Sequence, residues 1–286
     1  MAEKTSTEPR RQTEADDPRE RFGPERVKRV QEQMAERAMA KVIQLPLWPP
    51  PKRPAPSAIL RSALFGIVRR GRRRHLLEES LAAWKGCELR YTGYRLDQAD
   101  LDVWLHSLQL FRGRDLRDPH WISARQFLKR IGRKTGKHDY EWLKRSMWRL
   151  TDSTVDLELD GWTYTGHLVE AFAWDKDRLQ YKLRLNPELA DLFADQVTHL
   201  DWDSRRQLKM DLAKWLDGYV RSHRATKAAP HRIGIERLRA LCGSELARLR
   251  RFRELVRKAM GELRSSGAVA SWWLKDDQLW FVRPQP

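Results

Sequence analysis

The sequence predicts an α+β protein in which two helices and a two-stranded hairpin occur twice in the same order. In the C-terminal copy, from Gly234 to Val282, a short helix ends at Leu241-Cys242-Gly243 and is followed by an arginine-rich helix and a tryptophan-rich hairpin. A looser copy occupies about 122–174. This order is typical of a winged helix, which reads DNA with its second helix. We therefore expect two tandem winged-helix (helix-turn-helix) domains behind a disordered basic N-terminal arm.

The chain is strongly basic. Its 286 residues include 56 Lys and Arg against 39 Asp and Glu, a formal net charge of +17 at pH 7. Such an excess favours a polyanionic partner, because each phosphate that a cation neutralises releases condensed counterions. The sequence has neither an apolar run of about 18 residues nor a hydrophobic signal core. We therefore expect a cytoplasmic protein with no membrane partner.

Composition divides the chain into four segments. Residues 1–43 are polar and charge-mixed and are expected to be a disordered arm. Residues 44–86 are rich in proline and arginine and are expected to be an extended linker. Its arginine run, Arg69–Arg74, is expected to be a flexible strap that contacts phosphates without specificity. The first winged-helix domain is expected over 87–197 and the second over 198–286.

Hydrophobic spacing and turn signals predict the elements of the first domain. Tyr140, Leu143, Met147 and Leu150 form a 3,4,3 stripe, and Asp160-Gly161 is a strong hairpin signal. In chain order, the expected elements are a strand over 88–91 ending in a turn at 92–93, helices over 96–111, 122–131 and 137–150, hairpins over 154–169 and 172–185, and a short helix over 187–193.

The second domain is predicted in the same way. Apolar residues recur at helical spacing over 203–223, which predicts one long helix. A short helix over 234–241 is capped by Gly243. The next helix, 244–266, buries a stripe of Leu249, Phe252, Val256, Met260 and Leu263. A hairpin over 269–282 completes the domain.

The outward residues of the 244–266 helix are the principal candidates for DNA contact. Six are cations and one is an acid, which is too one-sided for salt-bridge decoration of a solvated face. Arginine forks suit both guanine edges and phosphates. The candidates are Arg248, Arg250, Arg251, Arg253, Glu254, Arg257 and Lys258.

The corresponding helix of the first domain is less one-sided. Its candidates are Lys137, His138, Lys144 and Arg145, but acidic residues share the same surface. Phosphate positioning and an ordinary solvated face are equally compatible with this pattern.

A short apolar cluster interrupts the linker. The peptide Gln44-Leu45-Pro46-Leu47-Trp48 has no local core to bury its large side chains. Exposed side chains of this kind favour a groove on a partner protein. The pattern is similar to the bacterial sliding-clamp-binding peptide, with Gln44, Leu45, Leu47 and Trp48 as the binding residues. The alternative is that the peptide folds back onto the body.

No catalytic or metal site is expected. The segment Gly132–Lys137 fails as a P-loop, because only three residues separate its glycines and His138 replaces the Ser/Thr that would hold magnesium. Cys87 and Cys242 have no metal-ligand spacing, and reduced thiols are expected. We therefore expect neither enzymatic activity nor a cofactor.

Several motifs occurring in one order resemble the TrfA family of plasmid replication initiators. They are Gln44–Trp48, Arg61–Phe65, Tyr91–Gly93, Leu241–Ser244 and Glu262–Gly267. The resemblance implies a bacterial initiator with two winged helices that binds iteron repeats of double-stranded origin DNA and opens the adjacent AT-rich DNA. It also implies loading of the host DnaB helicase assisted by DnaA, a monomer–dimer equilibrium linked to plasmid copy control, and clamp binding. Here Trp48 replaces the phenylalanine of the clamp motif.

Two functions remain open from sequence. The first is the iteron-binding initiator, for which single-stranded DNA of the opened origin is a further expected ligand. The second is a two-headed winged-helix transcriptional repressor without a replication role. The clamp-like peptide and the basic strap favour the initiator.

Overall fold

A computed structural model describes residues 42–68, 71, 73–159, 161–178, 180–194 and 196–284. The hydrophobic periodicity of the chain determines the helices and strands within these ranges. Residues 43–286 form one compact unit. The predicted disordered arm, 1–43, lies outside the described residues, except for 42, 43 and the exposed helical residues Glu25, Lys28, Arg29 and Glu32. Within the described part, no helix has the length and apolar character needed to cross a membrane.

The helices of this unit are α1 (Ser57–Leu60), α2 (Gln98–Leu110), α3 (Ala124–Arg130), α4 (Lys137–Thr151), α5 (Leu189–Leu192), α6 (Trp202–Gln207), α7 (Asp211–Arg221), α8 (Ile235–Leu241) and α9 (Leu249–Ser265). The strands are β1 (Lys52–Pro56), β2 (Phe65–Gly66), β3 (His75–Ser80), β4 (Cys87–Tyr94), β5 (Leu96–Asp97), β6 (His120–Ser123), β7 (Thr154–Leu159), β8 (Trp162–Gly166), β9 (Ala171–Asp175), β10 (Gln180–Arg184), β11 (Val197–Asp201), β12 (His231–Gly234), β13 (Ser271–Lys275) and β14 (Gln278–Val282).

The same arrangement of elements occurs in an N-terminal half (43–201) and a C-terminal half (202–284). In the C-terminal half, α7 is followed by β12, α8, α9 and the β13–β14 hairpin, and the sheet order is β12-β14-β13. In the N-terminal half, α2 is followed by β6, α3 and α4, and the corresponding sheet order is β6-β10-β9. Each half thus pairs the strand before its helix–turn–helix with a later hairpin.

The turn between the two helices has the same geometry in both halves. Gly132 follows α3 with φ +78°, and Gly243 follows α8 with φ +61°. In each case the next residue donates its backbone N–H five residues back, from Arg133 to Leu128 and from Ser244 to Arg239. These are Schellman caps, and they use the left-handed backbone that glycine adopts without strain.

The hairpin that directly follows α4 does not belong to the β6-β10-β9 sheet. Strands β7 and β8 join β3 and β4 in a four-stranded antiparallel sheet of order β3-β4-β7-β8. The predicted hairpin over 154–169 is therefore present but has another role. The hairpin that corresponds to β13–β14 of the C-terminal half is the next one, β9–β10.

Two predicted boundaries in the first domain are wrong. The turn expected at 92–93 lies inside β4, because Gly93 takes φ +133° where the backbone of Ser153 comes within 3.1 Å of its ideal Cβ position. The helix expected over 122–131 begins only at Ala124, after strand β6, which pairs with β10.

The second domain also departs from its prediction in two places. The long helix expected over 203–223 is interrupted at 208–210, where the Glu262 carboxylate accepts the backbone N–H groups of Lys209 and Met210. The helix expected over 244–266 begins at Leu249, because residues 243–245 hold the side chain of Arg95 instead.

The segment predicted as an extended linker is folded. Strand β1 pairs with β11 from Lys52↔Asp201 to Pro56↔Val197. Two of its residues are prolines, which an edge strand tolerates because one side needs no N–H donors. In the arginine run, Arg73 is mostly buried and pairs with Asp97 and Asp100. The strap prediction is therefore wrong for Arg73, and residues 69, 70 and 72 lie outside the described residues.

The clamp-like peptide packs against the N-terminal half. Leu45 is fully buried and Trp48 is 3% exposed. The Trp48 indole N–H donates to Gln109 Oε1 at 2.6 Å, and its carbonyl accepts from Arg112 Nε at 2.5 Å. Gln44 and Leu47 are exposed. The predicted free peptide is thus contradicted, because α2 and the residues after it provide the partner that the local sequence lacks.

The two halves are joined by buried polar contacts. Asp102 of α2 accepts from Arg205 Nε at 2.7 Å and from Lys214 Nζ at 2.5 Å. Arg205 is fully buried and also donates to Gln98 Oε1. Breaking a buried pair by removing one partner costs about 3–5 kcal/mol, because it leaves an uncompensated charge. These contacts therefore hold the halves in one arrangement.

The former linker adds further contacts across the same junction. Ser62 O accepts from Trp215 Nε1 at 3.1 Å, and Ile67 N donates to Cys242 O at 2.7 Å. Ala83 O accepts from Arg237 Nη2 at 2.5 Å. Ser62, Ile67 and Ala83 of the N-terminal half therefore contact the C-terminal half directly.

We expect Trp48→Ala to lower the free energy of unfolding by about 3–5 kcal/mol, because it empties a buried aromatic site. Urea denaturation measures this change. The control is Leu47→Ala, which removes a side chain that is 68% exposed and should change stability by less than about 0.5 kcal/mol. Equal stability of the two variants would show that the peptide is detached in solution.

We expect stability to fall as the pH drops from about 6.5 to 4. Burial lowers the pKa of His106 to about 3 and that of His231 to about 4. The unfolded chain binds protons in this interval that the folded chain does not, so acid favours unfolding. At pH 5, His106→Leu should reduce the slope by up to about 1.4 kcal/mol per pH unit. Thermal denaturation across this range measures the slope, and an unchanged slope would contradict the burial of a neutral His106.

Candidate nucleic-acid interface

The strongest candidate interface lies on α9 of the C-terminal half. Its buried stripe of Phe252, Val256, Met260 and Leu263 packs into the core of that half. The opposite surface of the helix is left to solvent. This division follows from the 3.6-residue period of the helix and leaves its cationic residues facing outward.

Four of the predicted cations on α9 are exposed to solvent. The side chain of Arg250 is 91% exposed and that of Arg251 is 68% exposed. Arg257 and Lys258, about two turns further on, are also exposed. Long cations of this kind near a helix N-terminus can reach phosphate oxygens and base edges in a major groove.

Glu254 lies among these cations. Its carboxylate is 3.7 Å from Arg250 Nε and 3.9 Å from Arg251 Nη1. Both pairs are exposed, so each contributes little to stability. Glu254 can therefore orient the two guanidinium groups in the free protein and release them to a stronger anion.

Arg253 is not available in the same way. Its side chain is 28% exposed and forms a 2.7 Å ion pair with Asp277, in the turn of the β13–β14 hairpin. Asp276 and Asp277 have φ of +50° and +54°, which bends the turn tightly. Arg253 thus holds the β13–β14 turn against α9. The remaining candidate, Arg248, is the exposed N-cap residue of the helix.

The candidates on α4 are brought together at one helix surface. Lys137, His138, Lys144 and Arg145 are all exposed, and none is used in an ion pair among the described residues. They begin at the N-terminus of α4, where the helix dipole favours anions.

Two other arginines near α4 stabilise the fold. The Arg133 guanidinium lies 3.6 Å from the Trp142 ring centroid and 3.5 Å from Asp139. Arg149 Nη2 is 2.6 Å from the fully buried carboxylate of Asp100. Neither side chain is free to contact DNA.

The β6-β10-β9 and β12-β14-β13 sheets carry cation–aromatic pairs that sequence reasoning missed. In the N-terminal half, Lys182 lies 5.9 Å from the ring of Trp121, its cross-strand partner. In the C-terminal half, Arg232 lies 5.3 Å from Trp280, which stacks on Trp273 at 5.9 Å. The signal was period-two alternation, since these residues flank buried ones on each strand.

The described residues contain no group of three His, Cys, Asp or Glu side chains placed to hold a metal ion. Cys242 is buried, and burial raises its pKa to about 12. A thiol held in this way is a poor nucleophile, because the thiolate is the reactive form.

Comparison with known proteins identifies the family. The family model described as TrfA protein matches residues 23–283. The chain belongs to the TrfA family. A curated TrfA relative, the plasmid replication initiator protein TrfA of Escherichia coli, is 27% identical over 243 residues, which cover 80% of this chain. The chain spans 61% of the length of that TrfA protein.

Two solved structures resemble this TrfA-family chain in fold. Domains 2 and 3 of RctB align with a TM-score of 0.53 at 13% identity, covering 81% of this chain and 99% of that chain. The Pi initiator protein in complex with iteron DNA aligns with a TM-score of 0.50 at 15% identity, covering 67% and 93%. At these identities the likeness concerns the fold alone.

We expect Arg251→Ala to weaken binding to origin DNA by about 1–3 kcal/mol, because it removes an exposed guanidinium near the start of α9. Gel-shift titration at fixed salt measures the loss. Arg90→Ala, an exposed arginine of β4, is the matched control and should bind as the unmodified chain does. If both variants bound equally well, α9 would not be the reading helix.

Proposed function

We propose that the chain is a plasmid replication initiator whose halves are two winged-helix domains that bind iteron repeats of the origin. The observation that carries this proposal is the row of exposed arginines on α9, whose only ion pairs among the described residues are long and solvent-exposed, within a fold that resembles an initiator bound to iteron DNA. Membership of the TrfA family supports the same function. Arg250, Arg251 and their neighbours contact the major groove, while the cations on α4 position the N-terminal half on phosphates.

The junction between the halves determines how such a protein reads DNA. Asp102, Arg205 and Lys214 fix the relative placement of the two helix–turn–helix elements. The initiator therefore engages two segments of one repeat at a fixed spacing. Its affinity gains from simultaneous engagement, since the second contact becomes intramolecular once the first has formed.

Origin opening follows from binding several copies side by side. Adjacent complexes bend the DNA, and the deformation energy is released at flexible steps in neighbouring AT-rich DNA. This mechanism needs no hydrolysis by the protein. The stacked Trp273 and Trp280, with Arg232 beside them, suit a base of the opened strand, because aromatic rings bind single-stranded bases by stacking.

The further steps rest on family resemblance. They are loading of the host DnaB helicase with help from DnaA, and a monomer–dimer equilibrium that serves copy control, in the bacterial cytoplasm. Binding of the sliding clamp through Gln44–Trp48 requires Leu45 and Trp48 to leave the core. That detachment costs free energy, so we propose clamp binding only as a step coupled to a change in this segment.

Footprinting on the cognate plasmid origin tests the initiator against the repressor. The expected result is a ladder of protected repeats, each about two helical turns long if the two halves occupy successive major grooves. Protection of a single promoter-proximal site would favour the repressor instead.

Spacing variants of one repeat test the fixed junction. We expect an insertion of about five base pairs between the two contacted segments to reduce affinity at least about tenfold, because it rotates one segment by half a turn. An insertion of about ten base pairs restores the rotation but adds about 34 Å, and we expect it to be equally harmful. Competition gel shifts measure both. Tolerance of the longer insertion would indicate that a flexible tether joins the halves.

A further inference from the structure

Two adjoining cavities lie at the junction of the halves: residues of both halves line one, residues of the N-terminal half line the other, and the proposed DNA contacts use neither. One is a basic cleft of about 740 Å³, with Arg61, Arg221, Arg224 and Arg283 in its lining. The other is a mainly apolar pocket of about 530 Å³. Both fall within the size range of small-molecule sites in proteins.

The basic cleft has no acidic counterpart among its described lining residues. Arg221 uses Nε on Asp217 behind the cleft wall, and Arg283 uses Nη1 on two backbone carbonyls. Their other guanidinium N–H groups have no hydrogen-bond partner among the described residues, while the backbone N–H of Arg283 donates to Ala225 O. Arg224 is exposed and has none either. Several guanidinium donors therefore converge on one volume.

Burial, and for some groups neighbouring cations, lowers the pKa of the basic groups around the cleft. Burial lowers the pKa of Arg61, and burial together with Arg221 lowers that of Arg283. Burial lowers the pKa of His223 to about 3, with additional contributions from Arg61 and Arg283. His223 is 8% exposed, and its Nε2 has no hydrogen-bond partner. An anion in the cleft would offset this positive potential.

The apolar pocket continues from the cleft. Arg61 and Gln196 line both cavities. Beyond them, the pocket is lined by Trp84, Leu157, Leu159 and Leu192. A flat ring fits such a lining, because an indole and aliphatic side chains bury apolar ring surface.

The basic cleft and the contact between α9 and the β13–β14 turn lie at opposite ends of β14. The β13–β14 turn contacts α9 through Asp277 and Arg253, whereas Arg283 follows the far end of β14. Five strand residues separate these ends by roughly 17 Å. A ligand in the cleft can therefore bind while the helix holds DNA.

We propose that the paired cavities bind a nucleotide, with its phosphates on Arg221, Arg224 and Arg283 and its base beside Trp84. Phosphate oxygens match arginine forks, and the adjoining apolar pocket distinguishes a nucleotide from a bare phosphate. The ligand is bound without hydrolysis. Because it bridges residues of both halves, it strengthens their junction.

Isothermal titration of the full chain tests this proposal with ATP, adenosine, tripolyphosphate, a ten-nucleotide single strand and a glutamate-rich peptide. We expect ATP to bind more tightly than tripolyphosphate, and tripolyphosphate more tightly than adenosine. Arg224→Ala should weaken ATP and tripolyphosphate about tenfold each. Ala194→Phe fills the pocket from an exposed position and should weaken ATP alone. The control, Arg178→Ala, removes an exposed arginine of the β9–β10 turn and should change neither affinity.

Three results would overturn the proposal. The first is ATP binding that is absent, or that is equal in all three variants once thermal denaturation has shown them to be folded. The second is binding of the single strand without binding of ATP, which would make the cleft a DNA-backbone site. The third is binding of the acidic peptide alone, which would indicate a protein partner. Iteron gel shifts run in parallel separate this outcome from the initiator function, because Arg224→Ala should leave them unchanged.

Discussion

The carboxylate of Asp102 lies between the guanidinium of Arg205 and the ammonium of Lys214, and the placement of the two halves depends on it. Burying three charges is costly, so the arrangement persists only where the geometry and the additional hydrogen bonds are good. Gln98 supplies one such bond to Arg205. The two halves are therefore not joined by a flexible tether, since a buried polar contact that tolerates little movement sets their spacing.

The arginines of this chain serve two purposes that net charge cannot separate. Arg149 of α4 pairs with the buried Asp100 of α2, and Arg73, from the segment before β3, pairs with the same carboxylate. Arg253 holds the β13–β14 turn against α9, whereas Arg250 and Arg251 extend into solvent. The positive charge available to a nucleic acid is thus smaller than the net charge of the sequence. It is concentrated on particular surfaces, where it can select a binding mode as well as raise affinity.

Sequence reasoning succeeded where the determinant was local. The stripe on α4 and the glycine-capped turn after α8 lie within a few residues of their causes. It failed where the partner is distant in sequence. Strand β1 pairs with β11, and the Trp48 indole donates to Gln109. After α6, the backbone N–H of Lys209 donates to Glu262. Among the site residues, exposure on α9 was predictable from periodicity. The capture of Arg253 by the hairpin turn was not, because it depends on tertiary placement.

The pairing of Lys52 with Asp201, 149 positions later, has a consequence for biosynthesis. Strand β1 leaves the ribosome long before β11 is synthesised, so β1 has no partner strand during that interval. High contact order of this kind slows folding and leaves apolar side chains uncovered in the interval. It also ties residues at the two ends of the N-terminal half into one cooperative substructure, so that the half folds only after β11 has been synthesised.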